Sequence, residues 1–117
     1  MPLTKEQILA AQDLPLQTVQ VPEWGGEVTV RAMTGRERGE FDDKVSKMKD
    51  GTWGMRVALL ARTLCDEQGN PMFTDAEVEQ LGAKSAAALA RVEAIATEIN
   101  GYRRDEVEKN SEGGQDA

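Results

Sequence analysis

The chain contains no histidine. That removes the commonest general base and a principal metal ligand. Its single cysteine, Cys65, has no partner for an internal disulfide and no histidine to activate it as a nucleophile. It reads as a half-buried structural cysteine, and the absence of a disulfide fits a reducing compartment. Aromatics are scarce, with two Trp, two Phe and one Tyr. The core must therefore be built from Leu, Val, Ile, Met and Ala. Basic charge is in deficit: 14 Lys and Arg face 21 Asp and Glu, a net charge of −7 over 117 residues. A phosphate-backbone binder carries a basic face, so no nucleic-acid partner is expected. No apolar run approaches the ~20 residues of a membrane span, and no signal peptide is visible at the start, so no membrane partner is expected either. Gly25-Gly26 lacks the glycine frame of a phosphate cradle and precedes a strand pattern rather than a helix. The carboxylates fall on helix faces that read as solvated, whereas a catalytic pair needs one member in an apolar pocket. The expectation is a protein that is not an enzyme and needs no cofactor.

What is present is organised around Leu16 to Phe41. Val19 and Val21 alternate with polar neighbours, and Val28, Val30 and Ala32 do the same, which predicts two half-buried strands. Pro22-Glu23-Trp24-Gly25-Gly26 lies between them, and the glycines supply the positive φ that a tight reversal needs. The stretch is thus a β-hairpin. Thr34 and Glu37 then form a capping-box pattern that opens a helix over about Gly35 to Lys49, ended by Asp50-Gly51.

Around the hairpin the pattern is helical. Thr4-x-x-Gln7 predicts a short helix from Lys5 to about Gln12, with Ile8 and Leu9 as its buried side. Thr52 is placed to cap a helix from Trp53 to Leu64. Apolar groups cover most of its circumference, so it reads as the central buried helix, packed across the hairpin with Trp53 in the core. Cys65 to Pro71 is a turn cluster, and Met72-Phe73 is too short to assign as a strand. Thr74-x-x-Glu77 opens a short helix to about Leu81. Ser85 caps a last helix, Ala86 to Asn100, with Gly101 at its C′ position. The whole is an α+β domain over 1–101: a short N-terminal helix, a hairpin and about four helices packed around it. Residues 102–117 form a polar, disordered tail, most clearly from Asn110 onward.

Two stretches invite a functional reading. Asp66, Gln68, Asn70, Thr74 and Glu77 have the spacing of a calcium loop. The sharp-turn position that needs glycine is Pro71, however, so no metal is expected. Trp24, beside Gly25 and Gly26, either folds onto the hairpin as core or stands out as a contact anchor. The outer side of the last helix, around Leu89, Val92 and Ile95, is the second candidate contact surface.

The order of these pieces resembles a known family. A short helix is followed by Val19-Gln20-Val21-Pro22-Glu23-Trp24-Gly25-Gly26, Val28-Thr29-Val30-Arg31, Thr34 and Glu37-Arg38. Later come Leu64-Cys65-Asp66-Glu67-Gln68-Gly69-Asn70-Pro71-Met72-Phe73-Thr74. Over Gln7 to Gly101 this is similar to the tail assembly chaperones of long-tailed bacteriophages and prophages. The resemblance implies a non-enzymatic factor that keeps the tape measure protein soluble and promotes polymerisation of the tail tube protein around it. It implies a place in the host cytoplasm and absence from the mature virion. Self-association is expected as well, since the hairpin edge and the Trp24 tip offer contacts to neighbours. The rival readings are a head–tail connector of the virion, an acidic DNA mimic and a small acidic host adaptor domain. Arg36, Arg38, Lys44 and Lys47 interrupt the acidic rows that a DNA mimic would need.

Overall fold

Local cap chemistry starts most of the elements. The computed structural model describes residues 2–49 and 51–102. Among these, the order is α1 (Lys5–Ala10), β1 (Leu16–Val21), β2 (Gly26–Arg31), α2 (Gly35–Ser46), α3 (Gly51–Thr63), β3 (Leu64–Cys65), α4 (Val78–Gly82) and α5 (Ala86–Ile99). Single 3-10 turns occupy Pro22–Trp24 and Asp75–Glu77. Thr4 and Thr34 each close a capping box, with Gln7 and Glu37 as the reciprocal partners. Glu77 reaches back to the Thr74 N–H at 2.8 Å. The Ser85 hydroxyl accepts the Ala88 N–H at 3.2 Å. α3 begins at Gly51, and the Thr52 side chain, expected as its cap, lies outside the described residues. Asp50 and the tail from residue 103 lie outside the described residues.

The fold is α+β. β1 and β2 form the expected antiparallel hairpin, in register from Leu16↔Arg31 to Val21↔Gly26. Only Gly25 takes the left-handed conformation, at φ 77°, and its N–H closes the turn on the Pro22 carbonyl at 3.1 Å. The sequence did not announce the third strand. The chain leaving α3 pairs Leu64 and Cys65 with Val30 and Thr29, giving a sheet of order β1-β2-β3. Cys65 is thus a buried sheet residue rather than part of a turn.

Val19, Val21, Val28 and Val30 share one sheet face, since opposed residues of a ladder point the same way. The helix against that face is α5, which touches both hairpin strands and, on another side, α3. This corrects the expectation that α3 crosses the hairpin. Ala88, Val92 and Ala96, spaced four apart, are fully buried and form the inner stripe of α5. Leu60, Leu64, Val21 and Val30 complete the centre of the core. Thr63, the buried polar residue there, donates its hydroxyl to the Leu59 carbonyl at 2.8 Å.

Two other core assignments are corrected. α1 buries none of its residues, and Ile8 and Leu9 are 56% and 79% exposed. Their apolar side has nothing to pack on within the described chain. Trp53 is 49% exposed. It lies in the first turns of α3, on a groove shared with α4 and α5 rather than in the core.

The C-terminal end of α5 fastens the sheet to α2. Gly101, at φ 74°, ends the helix in a Schellman motif. The Gly101 N–H bonds to Glu98 at 3.1 Å and the Tyr102 N–H to Thr97 at 2.9 Å. Tyr102, placed in the tail by the sequence reading, is therefore folded inward. Its ring meets Phe41 edge-on at 6.5 Å, the Arg38 guanidinium sits 3.6 Å above it, and its hydroxyl donates to Asp42 at 2.9 Å. Burial, with Asp42 beside it, pushes the phenol pKa well above the usual value. Asn100 clasps the same corner. Its Oδ1 accepts the Met33 N–H at 2.7 Å, and its Nδ2 donates to the carbonyls of Ala96 at 2.9 Å and Arg31 at 3.3 Å. Arg31 in turn donates to the Arg62 carbonyl at 2.9 Å and pairs with Glu37. Burial pushes the Glu37 carboxyl up, but the Thr34 N–H and Arg31 outweigh it and hold the pKa below its ordinary value.

Asn100→Ala leaves the Met33 N–H without an acceptor in a largely enclosed corner. The expected loss is about 1–3 kcal/mol, read as a lower urea midpoint. Asn100→Asp keeps an acceptor for Met33 and should fall between Ala and the parent chain. An unchanged midpoint for Asn100→Ala would show that the clasp contributes nothing.

Candidate functional site

A wide apolar opening lies where the hairpin tip, β3, the following loop and α4 meet. The 3-10 turn Pro22–Trp24 swings the indole of Trp24 toward β3, where it packs half-buried against the core. Val28, at the end of the apolar sheet face, stands beside it. Leu64, Met72, Phe73 and Leu81 complete the walls, and the groove measures about 680 Å³. Its polar rim is Glu23, Gln80 and Lys84. The Trp24 Nε1–H is shielded from solvent and has no acceptor. A buried donor left unpaired costs stability, and such groups are uncommon in folded chains.

The calcium-like stretch builds one wall of this groove by turn chemistry. The Asp66 carboxylate accepts the Gln68 and Asn70 N–H groups, both at 2.9 Å, and Gly69 turns the chain at φ 88°. The Asn70 N–H, first among these bonds, holds the Asp66 pKa below its ordinary value. The chain then doubles back. Cys65 bridges to Pro71, and the Met72 N–H donates to the Leu64 carbonyl at 3.0 Å. Met72 and Phe73 are thereby laid along the groove, Met72 at 56% exposed. On the other flank Glu23 is held by Arg91 of α5 at 2.9 Å and 3.1 Å, which fixes the hairpin tip to the helix. The hydrogen bond from Arg91 keeps the Glu23 carboxyl below its ordinary pKa.

A second, smaller groove of about 320 Å³ lies on the far side of α4. Trp53 forms its floor with Val57, Leu60 and Leu89, and the Arg56–Glu93 ion pair at 2.9 Å borders it. Gly82 allows this. A Cβ there would stand 3.1 Å from the Trp53 ring, tighter than an ordinary contact, so glycine gives the indole room beside α4.

The structure divides the sequence candidates. Trp24 faces the large groove, and Gly25 and Gly26 are exposed at its hairpin edge. Leu89 lines the second groove. Ile95 is half-buried against the core, and Val92 is fully buried in the α5 stripe, inaccessible to any partner. The last helix therefore has no single outer surface combining Leu89, Val92 and Ile95. Sequence reasoning missed Val28, Leu64, Met72, Phe73 and Leu81 as groove walls, and Trp53 as an exposed aromatic. The one local signal for the walls was the apolar pair Met72-Phe73 directly after a Gly-Asn-Pro turn.

Fold and site together define a small acidic α+β protein that presents an open apolar groove. The chain belongs to the phage tail assembly chaperone family, whose model matches residues 5–112. Among solved structures it is similar to the tail assembly chaperone of bacteriophage HK97. The two are 26% identical with a TM-score of 0.60, over 84% of this chain and 94% of that one. No curated protein matches the chain. The connector and adaptor readings gain no support from either match.

The two tryptophans should differ in access to solvent. Trp24→Phe leaves Trp53 as the sole indole, and Trp53→Phe leaves Trp24. Acrylamide is expected to quench the fluorescence of Trp53 more strongly than that of Trp24. Equal quenching would contradict the placement of the two rings.

Proposed function

We propose that this chaperone holds apolar helical segments of the tape measure protein in the Trp24 groove. The observation that carries the reading is the groove itself. A half-buried indole, two β-branched or aromatic neighbours and an exposed methionine offer soft apolar contact, and a charged rim surrounds them. A helix presenting apolar residues at i, i+3, i+4 and i+7 is the partner that such a groove fits. Tape measure proteins are long and helical, so covering their apolar faces keeps them soluble until the tail tube protein assembles around them. The role needs no catalysis and no cofactor. It is carried out in the host cytoplasm, by a protein that self-associates along its client and is left out of the mature virion. Membership of the tail assembly chaperone family supports a role with tail proteins. No helix among the described residues is long and apolar enough to cross a membrane. Leu89, beside Trp53, is the secondary contact candidate, while Ile95 and Val92 support the core.

Trp24→Ala removes the anchor. The expected cost to client binding is about 2 kcal/mol, roughly thirtyfold in affinity. Because Trp24 is packed on the core only in part, the variant should still melt cooperatively, a few degrees lower. Co-expression with the tape measure protein should then leave that client largely insoluble. Parent-level solubility with a cooperative melt would rule out the groove as the client site.

A further inference from the structure

Among the described residues, two exposed large apolar side chains stand on the body of the domain, Met72 on one groove and Trp53 on the other. The remaining large ones belong to the N-terminal arm and the start of β1. The Trp53 groove is built unlike its neighbour. α3 lends it Trp53, Arg56, Val57 and Leu60, which fall at i, i+3, i+4 and i+7. α5 lends it Ala86, Leu89, Ala90 and Glu93, with the same spacing. Each helix thus turns one face toward the opening over about 10 Å, or two turns. The two helices also pack on each other, so the faces meet as the sides of a trough. Val57 and Leu60 are buried at its bottom, and Trp53 is the exposed part of the floor. On the α5 side Ala86 and Ala90 are exposed and small, which leaves room for close approach.

A trough between two packed helices is the shape that a third helix fills. An extended strand would find few partners there for its own N–H and C=O groups, because the backbone groups of helical walls are bonded along their own helix. Charge selects further. Arg56 and Glu93 neutralise each other at the border. Lys84 makes no ion pair among the described residues. It stands just past α4, on the rim of both grooves. The occupant that fits is an amphipathic helix with a carboxylate beside its apolar stripe.

We infer that the Trp53 trough is a second seat for the client, taking a further helical segment of the same tape measure protein. The inference rests on reading that client as a row of apolar helices. α4 stands between the grooves, so one straight helix does not fill both, and each copy holds two segments. The Trp24 groove has more than twice the room and fills first. A second segment is then tethered close by. Its raised effective concentration offsets the smaller contact in the trough.

Full-length chains with a single indole test this. Trp24→Phe reports on Trp53, and Trp53→Phe reports on Trp24. The probe is a synthetic helical peptide of about 18 residues, long enough to hold its helix. It has no aromatics, carries Leu at i, i+3, i+4 and i+7, and has Glu on both flanks of that stripe. As peptide is added, the Trp24 emission should move first. At higher peptide the Trp53 emission should shift to shorter wavelength and become less quenched by acrylamide. A twin peptide with Lys in place of Glu should bind the Trp53 seat about threefold to fivefold more weakly, and Lys84→Glu should reverse that order. An unmoved Trp53 signal with Trp24 responding overturns the second seat and leaves the Trp24 reading intact. Trp53 responding with Trp24 unmoved keeps this seat and sinks the Trp24 reading. Silence from both indoles ends both. Equal binding of the two peptides would overturn the acidic character assigned to the segment. With the tape measure protein itself, Trp53→Ala should leave more client insoluble on co-expression than the parent chain does. Parent-level solubility would overturn the assignment of the seat to the client.

Discussion

The close approach of α5 to the hairpin is the constraint on which the rest depends. Its inner stripe is Ala88, Val92 and Ala96, three side chains small enough for the helix to lie near the sheet face of Val19, Val21 and Val30. With α5 in that place, α3 is displaced to its far side and joins the sheet by turning into β3. The hairpin tip is then held by Arg91, and the α2 corner by Asn100 and Tyr102, all from α5 or its cap. One helix thus sets the position of both ends of the hairpin. The part of the apolar face toward β3 is left to Leu64, Phe73 and Leu81, which border it without filling it. The groove is what remains uncovered.

Charge is handled in the same economical way. Asp75 receives both Lys44 at 3.0 Å and Arg62 at 3.4 Å, which links α2, the end of α3 and the turn before α4. These groups are partly solvated, so the pairs orient elements more than they stabilise them. The apolar groove is not crossed by any of these pairs. Only its rim is polar, with Glu23 already engaged by Arg91 and Lys84 unpaired among the described residues. An apolar floor with a sparse charged rim suits clients that share a helical apolar face rather than one exact sequence.

Features written in short-range chemistry were legible in the sequence. The boxes at Thr4 and Thr34, the hairpin alternation and the C′ glycine at 101 depend on residues within a few positions of one another. The structure keeps them all. What escaped depends on pairings far apart in the chain. The period of α3 is apolar almost all round, and nothing in it says that Trp53 faces outward while Leu60 faces inward. Ile8 and Leu9 sit on an amphipathic turn, and pattern alone cannot tell a face that is buried from one that awaits a partner. β3 is two residues long and follows a helix directly, too short to carry a period of its own. Of the candidate site, Trp24 was legible because an aromatic at a Gly-Gly turn stands out. Its neighbours in the groove were not, since they arrive from β2, β3, the Asp66 turn and α4. Val92 misled because its helical spacing fits an inner stripe as well as an outer one.

The most direct test is a nuclear magnetic resonance titration of the isotope-labelled chain with apolar helical peptides from a tape measure protein. The account predicts shifts concentrated on Trp24, Val28, Met72, Phe73 and Leu81. Among them should be a large displacement of the Trp24 indole N–H, which has no acceptor in the free chain. Shifts centred instead on Trp53 and Leu89, with the Trp24 indole unmoved, would contradict it.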